Sequence, residues 1–317
     1  MAEAFRLAGQ PRFGGGGYNS TVALRMAEPS APLRYLDSSV TNADLCETLG
    51  HQGVETRFLE RHPPVGNLIL PCAGGHVILH SPEAEKAETA PPEVELDWIC
   101  EAGGVLANGL KDRSLMTRLV SEPAYGAVRL YSVMTGSLPS SYWIRTVMPR
   151  ARATFLSFDE CERVLGLNPR HGMVVALDAV RLMLSFQNEG VAFLTSGIQG
   201  VLAGQGDAIY QVRLKPAASE EVERLLGGRS TRTLGCGDAF AAGAFAAMER
   251  AHASQLPSGI DAAIAGCLSS IRWLGLGLGF AEDDFAVDEA GRFQPAAYLV
   301  RGRRSGATPG LQEPHPC

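Results

Sequence analysis

From Trp98 onward, short apolar runs alternate with stretches of helical periodicity, and this alternation restricts the fold more than any other feature of the chain. Residues 103–107, 127–133, 152–156 and 191–195 read as short buried strands. Between them, 112–120, 140–147, 158–165 and 172–187 space apolar residues three and four apart, as helices do. Strands of this kind, separated by helices, build a mostly parallel sheet, because each crossover lays a helix on one of its faces. The expected class is α/β, a central sheet with helices on both faces. Such open sheets bind ligands beyond the carboxyl ends of their strands, so residues just after each strand are candidates for function.

A glycine turn entering a helix supplies the chemistry. Thr233-Leu234-Gly235-Cys236-Gly237-Asp238-Ala239-Phe240 runs into a small-residue segment in which Phe240, Gly243, Ala244, Ala247 and Met248 share one face. Such a turn leaves backbone N–H groups unpaired, and the helix dipole adds positive potential. That combination suits an anion such as a phosphoryl group. A carboxylate there, Asp238, can take a proton from an attacking hydroxyl. Read without function, the same residues are a glycine turn with a first-turn aspartate.

Three further stretches carry candidate sites. Gly14 to Gly17, then Tyr18, Asn19 and Ser20, lead into 21–26; the glycines let backbone approach a ligand, and Asn19 and Ser20 are good N-caps. Ser157-Phe158-Asp159-Glu160 has the spacing of a capping box, Ser at the N-cap and Glu three residues on. Thr195-Ser196-Gly197-Ile198-Gln199-Gly200 ends one strand and turns into the next, at 200–203. Elsewhere, 42–52 reads as a short helix, and 67–71 with 76–80 as a hairpin around Cys72-Ala73-Gly74-Gly75. Residues 208–214 read as a strand, 219–226 as a helix, and 258–274 as a helix capped by Ser258. The stretch 81–94 reads as a solvated loop and 301–317 as a disordered tail.

Composition removes several classes. With 28 Lys and Arg against 34 Asp and Glu, the chain lacks the basic field of a nucleic-acid surface. Only Lys86, Lys111 and Lys215 are lysines, and no P-loop pattern occurs, so phosphate chemistry needs another scaffold. Seven cysteines without a Cys-x-x-Cys, several of them within apolar patterns, fit reduced thiols and a cytoplasmic protein. No leader and no membrane span is expected; the apolar run over 262–278 is broken by Arg272 and by glycines. The histidines are scattered singly and suggest no metal cluster.

Taken in order, four of these stretches resemble the ribokinase-like (PfkB) carbohydrate kinases. Gly235-Cys236-Gly237-Asp238 is similar to the family's glycine-alanine-glycine-aspartate signature. The run from Gly14 to Asn19 is similar to its Gly-Gly-x-Gly-x-Asn sugar-binding motif. Glu160 matches the Glu of an Asn-x-x-Glu motif, with Ser157 standing where the Asn is usual. Thr195, Gly197 and Gly200 match the nucleotide-side loop. The resemblance covers roughly 14–295 and implies one ribokinase-like kinase domain over 1–300 with a small β lid near 67–80.

It further implies transfer of the γ-phosphoryl group of ATP, with Mg2+, to a hydroxyl of a sugar, sugar acid or nucleoside. In that scheme Asp238 is the general base, and the N–H groups of Gly235, Cys236 and Gly237 form an anion hole. Glu160 holds magnesium and its waters; Thr195, Gly197 and Gly200 line the nucleotide; Gly15, Gly17 and Asn19 face the acceptor. Lids of this family sometimes pair two protomers, which implies a homodimer through 67–80. Neither a nucleic acid nor a membrane is an expected partner. The alternative is a catalytically silent ligand-binding protein on the same fold. It draws on Ser157, on Arg232 where an acidic residue often opens the signature, on the insertion over 216–229, and on the lack of an Asp among the thirteen residues before Gly14. The intact Asp238 opposes it. A nicotinamide-dependent oxidoreductase rests on glycine runs alone.

Overall fold

The computed structural model describes residues 15–39, 41–62, 67–72, 75–80, 97–99, 101–108, 113–134, 140–167, 172–187, 189–227, 234–252, 258–276 and 279–293. The expected loop over 81–94 and tail over 301–317 lie outside the described residues, as do Gly14, Arg232 and Thr233.

The described chain opens with α1 (Gly16–Ala27), β1 (Leu33–Ser39), α2 (Ala43–Gly50) and β2 (Val54–His62). The hairpin β3 (Asn67–Cys72) and β4 (Gly75–His80) follows. Next come β5 (Gly104–Ala107), α3 (Arg113–Ser121), β6 (Arg129–Val133), an irregular helical stretch over 140–150, and β7 (Ala151–Ser157). A 3-10 turn (Phe158–Glu160) leads into α4 (Cys161–Leu165), then α5 (Met173–Phe186), β8 (Val191–Thr195), β9 (Val201–Gln205) and β10 (Ala208–Leu214). The described chain ends with α6 (Pro216–Leu226), α7 (Cys236–His252), α8 (Gly259–Trp273) and β11 (Phe285–Arg292).

Among the described residues, seven strands form the central sheet in the order β11-β10-β9-β8-β7-β6-β5. From β5 to β8 neighbours are parallel; from β8 to β11 they are antiparallel. The parallel half brings the carboxyl ends of β5, β6, β7 and β8 to one edge, where the site is built. The α/β class expected from the alternation holds. Every strand read between 103 and 214 is present within two residues, and the hairpin β3–β4 pairs in register as Asn67 with His80 through Cys72 with Gly75.

Each face of the sheet carries its own core. On one, Leu130, Leu156, Ala192 and Leu194 pack against Ala179, Val180 and Met183 of α5 and against Trp143 and Met148. On the other, Tyr131, Ala153, Phe155 and Phe193 meet Phe240, Ala244 and Met248 of α7 and Ala263 and Ile271 of α8. Phe155 and Phe193 stack with centroids 5.1 Å apart, and Phe240 sets its ring edge-on to both, at 6.2 and 5.7 Å. This aromatic trio fixes the first turn of α7 against β7 and β8, and Asp238 lies two residues before Phe240.

Three elements escaped the sequence reading. β1 and β2 form a separate two-stranded parallel pair. Arginines and glutamates interrupt their apolar pattern because these side chains work as fasteners. The guanidiniums of Arg34 and Arg57 lie 5.0 and 4.7 Å from the ring centroid of Trp98, and the Trp98 indole donates to Glu55 at 2.8 Å. β11 is an antiparallel edge strand whose middle, Asp288 and Glu289 included, is exposed, so it shows no buried alternation.

The 140–147 segment is helical as read, but widens to a π turn at Trp143–Val147 before a 3-10 turn containing Pro149. The cysteines at 46, 161, 236 and 267 are unpaired thiols, as expected. Among the described residues no helix is long and apolar enough to cross a membrane.

Phe193 is wholly buried. Phe193→Ala is expected to lower the unfolding free energy by about 3–5 kcal/mol, seen as a fall in the urea midpoint at unchanged slope.

Candidate active site

Asp238 stands in the first turn of α7, where three elements converge. Asn19 of α1 donates its side-chain amide to Oδ2 at 2.8 Å, and Asn108, just beyond β5, donates to Oδ1 at 2.8 Å. The Ser20 hydroxyl donates to the Asp238 backbone carbonyl at 3.1 Å. Burial pushes the Asp238 carboxyl above the ordinary carboxylate range; the two amides pull it back, and the negative charge of Glu160 adds to the rise. The result is a carboxylate held by neutral donors, with no cation beside it among the described residues to quench its basicity.

The helix that carries Asp238 begins as the glycine turn requires. Its first backbone bond runs from Ala239 N–H to the Gly235 carbonyl at 2.8 Å. The amides of Cys236, Gly237 and Asp238 precede that bond, so among the described residues they are the unpaired first donors of a 17-residue helix. Gly235 has φ +82°, and a Cβ there would lie 2.9 Å from the Trp273 ring, so both conformation and space demand glycine. Trp273 also donates Nε1–H to the Leu234 carbonyl at 2.8 Å, and Ser270 donates to the Cys236 carbonyl at 2.8 Å. α8 thus pins the carbonyl side of the turn. At Gly237 no atom of the other described residues, its own helical turn aside, comes within 4 Å of where a Cβ would sit. Burial pushes the Cys236 thiol up to about 12, with Asp238 adding to it, so this group is a neutral packing residue rather than a nucleophile.

The first glycine run folds differently from its reading as a capped loop. α1 begins at Gly16, its N-cap is Gly15 at φ +95°, and no side chain caps it. Asn19 therefore closes the first turn of the helix and Ser20 begins the second, neither at the N-cap. The Asn19 backbone N–H bonds the Gly15 carbonyl at 2.9 Å, which frees its side chain to reach Asp238 across the interface. Gly17 packs beside Tyr35, whose ring edge would lie 3.4 Å from a Cβ.

Ser157 is also corrected. It is an N-cap by backbone conformation, but its hydroxyl makes no capping bond; it donates to Glu160 Oε2 at 3.2 Å. Glu160 is bonded to Arg163 one turn on, and its charge is felt at Asp238. Thr195 is the register partner of Ser157 at the ends of β8 and β7, and its hydroxyl reaches the Leu156 carbonyl at 3.5 Å. Gly197 begins the following 3-10 turn, and Gly200 closes it, its carbonyl accepting from the Ser196 N–H at 2.9 Å. Asp238, Gly235, Cys236, Gly237, Gly17 and Asn19 are thus brought together. Glu160 is within electrostatic reach, and Thr195, Gly197 and Gly200 stand at the end of the next strand without touching Asp238. The residue that sequence reading missed is Asn108. Its position just past the carboxyl end of a strand was the available signal.

No family model matches the sequence, and no curated protein matches it. The solved structures it resembles share its architecture. The ribokinase of Arabidopsis thaliana, complexed with ribose and ATP, is 17% identical with a TM-score of 0.60, covering 90% of this chain and 86% of that one. Phosphofructokinase-2 of Escherichia coli, in its tetrameric inhibited form, is 16% identical with a TM-score of 0.59 over 86% of this chain and 84% of the other. Ribokinase of Thermotoga maritima is 13% identical with a TM-score of 0.56, covering 90% and 87%. The fold is ribokinase-like.

A Cβ on Gly16 would lie 2.3 Å from Asn108 Oδ1. Gly16→Ala is therefore expected to destabilise the protein by about 1–3 kcal/mol, measured by urea unfolding, because the Asn108 amide would have to leave the partners it holds on Asp238, Ser20 and Gly16.

Proposed function

We propose that this chain is a ribokinase-like carbohydrate kinase, which moves the γ-phosphoryl group of ATP to a hydroxyl of a sugar, sugar acid or nucleoside. One observation carries the reading: a buried carboxylate, Asp238, in the first turn of a helix that follows a glycine turn, has both of its oxygens held by two asparagines, with no cation against it among the described residues. An ordinary first-turn aspartate is solvated and needs no such setting.

In this reading the acceptor hydroxyl lies against α1, near Gly15, Gly17 and Asn19, and gives its proton to Asp238 as it attacks. Its oxygen forms the new bond to the γ-phosphorus as the bond to the ADP oxygen breaks. The amides of Gly235, Cys236 and Gly237 stabilise the charge on the transferring group from a fixed position. Thr195, Gly197 and Gly200 line the donor nucleotide.

Among the described residues no three His, Cys, Asp or Glu side chains group as a metal site. Magnesium bound to phosphates keeps several waters and needs only one or two protein carboxylates, so Glu160 fits an ion of that kind. When bound, the cation neutralises charge on the phosphates. A second copy pairing through β3 and β4 belongs to the same reading, and sedimentation tests it.

The silent-binding alternative has one contact in its favour, since Arg163 already occupies Glu160. The test is magnesium-dependent ADP release from ATP over a panel of sugars, sugar acids and nucleosides. Asp238→Asn should lower kcat by about 10²–10⁴-fold with the unfolding midpoint kept; undiminished turnover in that variant would sink the assignment. Because the Asp238 pKa is raised, the acid limb of kcat/KM should lie above the ordinary aspartate range, activity falling as pH drops through it. Glu160→Gln removes a charge that raises this pKa, so the limb should move to lower pH in the pH–rate profile.

A further inference from the structure

Asn108 does more than fill a strand end. Its Nδ2 lies 2.8 Å from Asp238 Oδ1, 2.8 Å from Ser20 Oγ and 3.1 Å from the Gly16 carbonyl. A carboxylate oxygen and a carbonyl accept and cannot donate, so the amide nitrogen must face them; turned over, the amide would set its oxygen against both. The residue is 9% exposed, which limits it to this arrangement. Gly16 lacks a side chain where Asn108 Oδ1 sits, so the two positions fit only as a pair.

We infer that Asn108 is a positioning residue that fixes the Asp238 carboxylate and ties it to the acceptor-side turn of α1, so that base and turn hold one geometry. This rests on the kinase reading, which makes Asp238 the base. Asn19 holds Oδ2 from one element and Asn108 holds Oδ1 from another, so rotation of the carboxylate breaks one bond or both. Ser20 closes the network: its hydroxyl accepts from Asn108 and donates to the Asp238 carbonyl. One amide thereby links the end of β5, the first turn of α1 and the first turn of α7.

Neutral donors suit this task. An arginine or lysine in the place of Asn108 would also orient the carboxylate, but would make it a weak base. An amide orients it with a smaller penalty to basicity. Among the described residues, the titratable groups that bear on Asp238 are Glu160, itself paired with Arg163, and the Cys236 thiol. The contacts from α1 and β5 are uncharged.

The experiment follows Asp238 directly, in protein carrying aspartate labelled with 13C at the carboxyl, its resonance assigned by its loss in Asp238→Asn. Asn108→Leu removes the amide at similar volume, and Asn108→Ser keeps a smaller donor. The Asp238 titration should move to higher pH in Asn108→Leu, with Asn108→Ser between it and the wild type. With whichever of ribose, fructose, gluconate or adenosine is turned over, kcat should fall by about 10²-fold while the acceptor KM changes by less than about threefold.

The titration needs no turnover, so a protein inactive on all four acceptors still reports on the Asn108–Asp238 link. An unchanged titration in folded Asn108→Leu overturns the inference. So does a raised KM at unchanged kcat, which would make Asn108 an acceptor-binding residue. If Asn108→Leu does not fold, Asn108→Ser decides by the same comparison.

Discussion

A buried carboxylate held by neutral donors is costly, and one end of this molecule is arranged around one. Asp238 is removed from water on α7 and its two oxygens are met by two neutral amides. Those amides come from Asn19 and Asn108, 219 and 130 residues away in sequence. The position of α1 against α7, the end of β5 and the glycine at position 16 all answer to that one group. The aromatic trio of Phe155, Phe193 and Phe240 then anchors α7 to the sheet, so core packing and the site's geometry are joined within three residues of helix.

The second constraint is directional. The glycine turn before α7 must expose its N–H groups and bury its carbonyls. α8 achieves this with Trp273 and Ser270, which take up the carbonyls of Leu234 and Cys236. Dipoles fixed in advance are the effective ones toward an anion, and α8 holds this turn from behind. Glu160 approaches from the end of β7 with its own partners, Ser157 and Arg163, so the two carboxylates stand on different elements.

Much of the fold was legible because its signals are local. Strands β5 to β10 are short apolar runs bounded by helical periodicity, and the turn at 234–238 writes its chemistry in consecutive residues. The rest was hidden for physical reasons. β1 and β2 carry the arginines and the glutamate that fasten them to Trp98, and β11 lies at an edge where alternation has no core to obey. Asn108 is a single polar residue whose meaning comes only from what the fold brings to it. Asn19 and Ser157 were read as caps because their local pattern is that of caps. Both side chains are instead spent on carboxylates, Asn19 across the interface and Ser157 within its own turn.

The most direct test of the central claim is the structure of this chain with magnesium and a non-hydrolysable ATP analogue. The account predicts the γ-phosphate at the amides of Gly235, Cys236 and Gly237, the nucleotide running toward Thr195 and Gly200, and Asp238 facing the terminal phosphorus from the α1 side. A nucleotide seated elsewhere, or a terminal phosphate turned away from the start of α7, would contradict it.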